Sequence, residues 1–373
     1  MSRASFDKLL QYPVIKEELA VNGKMANMRG GPIIPELCMY CTLRWLAGGS
    51  YLDICDISGV STSSFYRVIW KTIVALNKCP ELAIEFPKTL DDCQRAAAGF
   101  ETISERDPST GECAIKCCVG VVDGYLLRTV TPSKTEVVGN VRSYFSGHYQ
   151  CYGVNVQAVA DHLSRFIYLA FAAPGVTADR YAMRSPHSSL NERVEALPTG
   201  YCIIGDAAYE ATEKLVPIYQ GLDKLKPKYD AFNFYASQCR IRIEMAFGMM
   251  QQKWGILQRP VSCNLVNLSL MIQAISRLHN YVINERLLAG GVDAVEKEVG
   301  RHSGNGYLAS GPEYPNSDPI EVDPILSTDD IFRGHSHLRE HMVDRIYKMK
   351  MKRPLANKIK AKDTHQPLLS EGN

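Results

Sequence analysis

The sequence predicts an α/β fold preceded by a helical segment, and three observations carry that prediction. Residues 115–124, 154–161 and 166–175 are apolar or alternating runs that end in hard stops, as strands do. A partly helical interval, 177–197, separates them from a fourth apolar run, 201–205, giving the order strand, strand, strand, helix, strand. Residues 37–76 instead repeat apolar side chains at helical spacing.

Residues 1–30 are polar and basic and read as a flexible arm. After Pro35, the residues Leu37, Met39, Leu43, Leu46 and Ala47 share one helical face, and Gly48-Gly49 stops the helix. Leu52, Ile54, Cys55 and Ile57 form a second short helix closed by Gly59. Ser61-Thr62-Ser63-Ser64 offers N-caps for a third, which carries Phe65, Val68, Ile69, Ile73 and Leu76. A short helix, a turn with Gly59 and a capped helix make a helix-turn-helix pattern, expected as a domain over 31–98. In that geometry Thr62, Ser63, Tyr66 and Arg67 face DNA, with Lys71 behind them. The same spacing fits any small helical bundle. Residues 79–112 read as a connector with a helix around 90–98.

The strands deliver carboxylates. The first ends in Asp123-Gly124, and the fourth runs into Gly205-Asp206. Open α/β sheets place ligands at the C-terminal ends of their strands. A carboxylate there must be solvated, paired or metal-bound, because an isolated buried charge is costly. A helix from about 234 to 254 has a buried stripe of Ile243, Phe247, Met250 and Trp254, with Glu244 at its border. A further amphipathic helix covers 271–288. Were Asp123, Asp206 and Glu244 to converge, they would need a cation to stay ionised together. Oxygen donors select Mg²⁺ or Mn²⁺, and a pair of such ions suits in-line phosphoryl transfer. Each acid also has a plainer reading: a turn at Asp123-Gly124, a cap at Asp206, an ion pair of Glu244 with Arg240.

A formal net charge of +2 gives no global nucleic-acid signal, so only local clusters of cations bear on it. No run of about 18 apolar residues is present, and no membrane span is expected. The first residues lack the apolar stretch of a signal peptide, and 12 cysteines without one suggest a reducing compartment. Cys38 and Cys41 have no second pair at zinc spacing and read as small core side chains. Residues 289–330 are rich in Gly, Pro, Asp, Glu and Ser and read as a linker. The remainder, 331–373, reads as a short helix bearing His335, His337 and His341, followed by a basic tail. Its run from 345 to 362 fits nuclear import, nonspecific DNA contact or plain solvation.

Five short motifs recur in one order: Val121-Val122-Asp123-Gly124 with Pro132, Asn155-Val156-Gln157-Ala158-Val159 with Asp161, Pro174-Gly175 with Asp179-Arg180, Gly205-Asp206-Ala207-Ala208-Tyr209, and Glu244-Met245-Ala246-Phe247-Gly248 ending in Trp254-Gly255-Ile256-Leu257. Together they resemble the Harbinger/PIF family of DDE transposases and its domesticated nuclease-like relatives. The resemblance implies an RNase H-like mixed sheet flanked by helices over 99–288. It implies a metal-dependent endonuclease or transposase, in which water attacks a phosphodiester and the freed 3′ hydroxyl joins target DNA. Asp123, Asp206 and Glu244 take the catalytic positions and hold two Mg²⁺ (or Mn²⁺) ions. Asp179 falls on another characteristic position, as a supporting acid or helix cap before a metal ligand. A Myb-like DNA-binding partner, a homo-oligomer on DNA and a nuclear location, with the cytoplasm also open, complete the expectation. The chain departs from the family at Tyr125-Leu126, where Thr-His is usual, at Met245, where Arg is usual, and at Met249-Met250-Gln251 in place of a basic triplet, with Lys253 nearby. Those departures motivate the alternative of a domesticated DNA-binding or scaffold protein without chemistry.

Overall fold

The computed structural model describes residues 1–21, 31–303 and 336–354. Residues 304–330 of the expected linker, His335, and the basic run from 355 onward lie outside them. The chain divides into two compact units. Residues 1–88, 121–196 and 242–308 form the first, and 89–120, 197–241 and 309–373 form the second.

The first unit begins with helices where an arm is expected. Helix α1 (Arg3–Gln11) starts at Ser2, whose side chain accepts the Ser5 N–H, and α2 (Pro13–Leu19) has proline in its first turn. Leu9, Leu10, Ile15 and Leu19 are buried, so this segment belongs to the core rather than to a flexible arm. Its few apolar residues sit at helical spacing among many charges, which hides them from composition.

Helices α3 (Pro35–Leu46), α4 (Tyr51–Ser58) and α5 (Thr62–Lys78) follow. Gly59 ends α4 at φ 67°, a left-handed conformation that favours glycine. Ser61 opens α5 by accepting the Ser64 N–H at 3.4 Å. The stripe Phe65, Val68, Ile69, Thr72, Ile73, Ala75 and Leu76 is buried, and it packs on α2, α3 and α10 (Leu265–Ser303). Asn77 Nδ2 donates to Leu270 O at 2.9 Å along the same seam. Because α5 is shared in this way, the compact units do not follow the expected domain boundaries. Residues 31–88 belong to the same unit as the strands β1–β4, and 89–98 fall in the second. Replacing Ser61 by Ala is expected to cost about 1 kcal/mol by orphaning a first-turn N–H. A lower urea midpoint at unchanged slope would show it.

Strands β1 (Cys118–Arg128), β2 (Phe145–Ser146), β3 (Cys151–Ala160) and β4 (Phe166–Pro174) supply the sheet of this unit. β3 is antiparallel to the other three, with Asp123 opposite Ala158 and Gly124 opposite Gln157. It is buried on both faces from Gly153 to Ala160, which is why its sequence is nearly continuously apolar. Helices α7 (Asp179–Met183) and α8 (Leu190–Glu195) follow β4. Helix α10 packs on β4, and the Asn280 side chain clamps Phe166 by accepting its N–H at 2.8 Å and donating to its C=O at 2.7 Å. The helical backbone kinks at Gly291 and continues to Ser303, into the stretch expected as linker.

Two histidines are buried in this unit. Burial pushes His162 and His279 down to about 4, from an ordinary 6.5, and His279 Nε2 lies 2.8 Å from Ser164 O. Between pH 6.5 and 4 the unfolded chain therefore binds more protons than the native one. Their contribution to stability is complete above pH 6.5 and is lost as pH falls toward 4. The thermal midpoint is expected to drop across that window, and a flat profile would contradict it.

The second unit holds α6 (Leu90–Ile103), whose Thr89 and Asp92 form a reciprocal capping box. Strands β5 (Cys202–Gly205) and β6 (Leu215–Pro217) pair in parallel, and the Cys202 N–H donates to Cys117 O at 3.1 Å, just ahead of β1. The strands are thus mixed in direction and flanked by helices. Helix α9 (Pro227–Lys253) and β1 each run from one unit into the other.

The expected C-terminal tail is, in its described part, a docked helix, α11 (His337–Lys348). It buries Leu338, Met342, Val343 and Ile346. Arg345 Nη2 donates to Cys113 O at 2.6 Å and Ala114 O at 2.7 Å, and Tyr219 Oη donates to Glu340 Oε1 at 2.5 Å. His337 and His341 are exposed. None of the 12 cysteines is in a disulfide, and burial pushes Cys38 up to about 11. Among the described residues no helix is long and apolar enough to cross a membrane.

Candidate functional site

Asp123, Asp179 and Glu244 lie in the first unit and Asp206 in the second. Side chains alternate along β1, so Asp123 and Tyr125 share one face and Gly124 presents the other. The Gly124 N–H donates to Asp123 Oδ1 at 2.9 Å, which orients one carboxylate oxygen. Tyr125 stacks on Phe247 with ring centroids 5.1 Å apart, and Phe247 also meets Phe166 at 5.8 Å. Phe247 follows Glu244 by three residues on α9, so the two are surface neighbours. The stack therefore sets the face of β1 that bears Asp123 against the side of α9 that bears Glu244. Glu244 is exposed, whereas Ile243, Met245, Ala246 and Phe247 around it are buried.

The departures from the resembled family have physical roles. Tyr125 is the ring that holds β1 to α9, and burial pushes its hydroxyl up to about 12. Leu126, on the opposite face, covers Gly153. Met245 and Met249 pack on Ile283 with Leu287 beside them, fastening α9 to α10. Gln251 accepts, through its main-chain oxygen, a hydrogen bond from Gln258 Nε2 at 3.4 Å.

Asp179 opens α7 and lies on the Gly124 face of the sheet. Its Oδ1 accepts from Asn155 Nδ2 at 2.8 Å and from Gln157 Nε2 at 3.0 Å. Asn155 Nδ2 also reaches Thr177 O at 3.1 Å. A Cβ on Gly124 would stand 1.9 Å from that same Oδ1, so the glycine makes room for the carboxylate. Asp179 thus locks α7 to β3 and β1. Neither amide was singled out as a site residue from sequence; the available signal was two polar side chains, two residues apart, in an otherwise apolar strand. Tyr149, in the turn before β3, was also missed. Burial, then Asp123, then Asp179 push its pKa up.

Asp206 follows β5, whose Ile203 and Ile204 are fully buried. Its Oδ1 accepts the Ala208 N–H at 2.9 Å, and the Tyr209 N–H donates to Asp206 O at 3.3 Å. The Gly205–Tyr209 sequence is therefore a turn that holds one carboxylate oxygen and anchors itself through buried Tyr209. The donors are carboxylate oxygens, the chemistry that Mg²⁺ or Mn²⁺ takes. Among the described residues, no group of three or more His, Cys, Asp or Glu side chains stands close enough to hold a metal ion.

At the start of α5, Thr62, Ser63, Tyr66 and Arg67 are exposed and Lys71 is half-buried. Arg67 Nη2 donates to Ser64 Oγ at 3.2 Å, and Tyr66 lies 5.8 Å from the Tyr51 ring.

No curated protein and no solved structure matches the chain. Residues 122–280, which contain Asp123, Asp179, Asp206 and Glu244, match the family model of the DDE superfamily endonuclease, and this similarity supports placing that stretch in the DDE superfamily.

Proposed function

We propose that the chain is a divalent-metal-dependent DNA endonuclease of the transposase type, of the Harbinger/PIF kind. The observation that carries the reading is the Tyr125–Phe247 stack, which sets the Asp123 face of β1 against the Glu244 side of α9 inside the matched segment. Asp123, Asp206 and Glu244 are the residues that would hold two Mg²⁺ or Mn²⁺ ions. When bound, such ions stabilise the attacking and leaving oxygens of an in-line displacement at phosphorus. The chain's own part is positional. Backbone N–H groups fix one oxygen each of Asp123 and Asp206. Asp179, with Asn155 and Gln157, holds the far face of the strand that carries Asp123. Helices α4 and α5 serve as a helix-turn-helix, with Thr62, Ser63, Tyr66, Arg67 and Lys71 toward DNA. A Myb-like partner, a homo-oligomer on DNA and action in the nucleus belong to the same reading, as does joining of freed 3′ ends.

A second reading has its own observation. Met245 and Met249 are buried against Ile283, where the resembled family carries cations. With fewer cations on α9, the fold would bind DNA as a scaffold without cutting it. Incubating purified protein with DNA and Mg²⁺ or Mn²⁺ separates the two. Nicking that EDTA abolishes supports the nuclease; binding without cleavage in either metal, and without Mn²⁺ uptake, selects the scaffold.

A further inference from the structure

Two adjacent residues of α10 grip the start of β4, where its ladder with β3 is irregular. The register of that pair shifts at Val159/Ala160, so Phe166 stands opposite Ala160 and Tyr168 opposite Val159, with Ile167 left over. An irregularity of this kind re-aims side chains, and the ladder alone does not set where the Phe166 ring sits. Helix α10 sets it. Asn280 accepts the Phe166 N–H at 2.8 Å and donates to its C=O at 2.7 Å, which takes a donor and an acceptor on one short side chain. His279 holds the ring: the two ring centroids are 5.0 Å apart. His279 Nε2 also lies 2.8 Å from Ser164 O. A carbonyl only accepts, so Nε2–H donates and fastens α10 to the turn that leads into β4. Asp161 already winds that turn, its Oδ1 accepting the Leu163 and Arg165 N–H groups at 2.9 Å each.

Phe166 passes this placement on. It is 1% exposed and meets Phe247 at 5.8 Å, and Phe247 stacks on Tyr125 at 5.1 Å. Phe247 stands one helical turn from Glu244 on α9, and Tyr125 shares a strand face with Asp123. A file of rings therefore runs from His279 through α9, which carries Glu244, to β1, which carries Asp123. Met245 and Met249 pack on Ile283, one turn along α10 from His279, so α9 rests on α10 beside the file as well.

We infer that His279 and Asn280 are positioning residues for Asp123 and Glu244. They fix Phe166, and through Phe247 and Tyr125 they set how β1 stands against the Glu244 side of α9. A clamp that served stability alone would cost stability when cut and leave the acids as they are. A positioning clamp costs both, because a misplacement near 1 Å is worth about a hundredfold in rate. The inference deepens the DNA-cleavage reading and rests on it.

The test compares two cuts to the same helix. Asn280→Leu keeps the side-chain volume and removes both bonds to Phe166. Asn77→Leu removes the Asn77 Nδ2 bond to Leu270 O of α10, 2.9 Å long and away from the rings. Thermal midpoint, kcat and KM for Mg²⁺-dependent cleavage, and Mn²⁺ affinity by electron paramagnetic resonance are read, the last three well below each midpoint. Both variants are expected to melt earlier. Asn280→Leu alone is expected to lower kcat, by about a hundredfold at unchanged KM for DNA, and to weaken Mn²⁺ binding by about tenfold. Phe247→Leu should show the same pair of losses, and joining it to Asn280→Leu should add little, because changes along one route are not additive. Wild-type kcat and Mn²⁺ affinity in Asn280→Leu, or losses that multiply in the double variant, would overturn the positioning role alone. If Asn280→Leu does not fold, Asn280→Asp, which still accepts the Phe166 N–H, is read by the same criteria. If the wild-type protein neither cleaves DNA nor takes up Mn²⁺, the positioning role and the DNA-cleavage reading fall together.

Discussion

Asp206→Asn is expected to lower Mg²⁺-dependent DNA cleavage by about a thousandfold or more while leaving the fold intact. On the proposed reading the two effects separate because the aspartate would do two things. Its Oδ1 accepts the Ala208 N–H at 2.9 Å, and an asparagine oxygen can accept the same bond. Its charge is what a divalent ion needs, and an amide cannot supply it. Unfolding midpoints within about 1 kcal/mol of wild type, with cleavage gone, are the expected pair of results. Asp123→Asn should behave alike, since its Oδ1 accepts the Gly124 N–H at 2.9 Å. Combining the two should cost no more than either alone, because residues that act as one unit are not additive. Cleavage that survives Asp206→Asn would remove Asp206 from the site.

What the sequence disclosed and what it hid divide along the range of the interactions. Local signals were legible. The apolar run before Asp206 is β5, the glycine at 59 ends α4 in a left-handed turn, and the serines at 61–64 open α5. The long-range partners were not. Nothing near Leu9 or Ile15 announces that α2 packs on α5, so a sparse apolar stripe passed for an arm. Arg345 looked like part of a basic tail because its partners, Cys113 O and Ala114 O, lie more than two hundred residues earlier. Asp206 was visible as the residue after a strand, but Asp123, expected to end the first strand, lies inside β1, which runs on to Arg128 because its far half pairs with β3. The Tyr125–Phe247 stack that sets β1 and α9 face to face was not visible either. A stacked pair has no sequence signature beyond two aromatic residues at distant positions.

Gly124→Ala should be among the most damaging single-methyl changes in the first unit. The added Cβ would stand 1.9 Å from Asp179 Oδ1 and 3.0 Å from Gln157 Nε2, so the carboxylate must move. Moving it strains the packing and loosens charge-assisted hydrogen bonds from Asn155 and Gln157, a combined loss of about 3 kcal/mol. β1 carries Asp123 on its other face, and a shift near 1 Å there costs about a hundredfold in rate. The cause can be isolated by removing the obstacle. Asp179→Ala alone forfeits the lock, but in the Gly124→Ala background it also removes the clash. The double variant is therefore expected to lose less than the sum of the two single losses, by about 1 kcal/mol or more. That coupling is read from chemical-denaturation midpoints of the four proteins. If the losses simply add, the glycine is not there to admit Asp179. The Asp-Gly pair would then owe its second residue to something other than the carboxylate behind the strand.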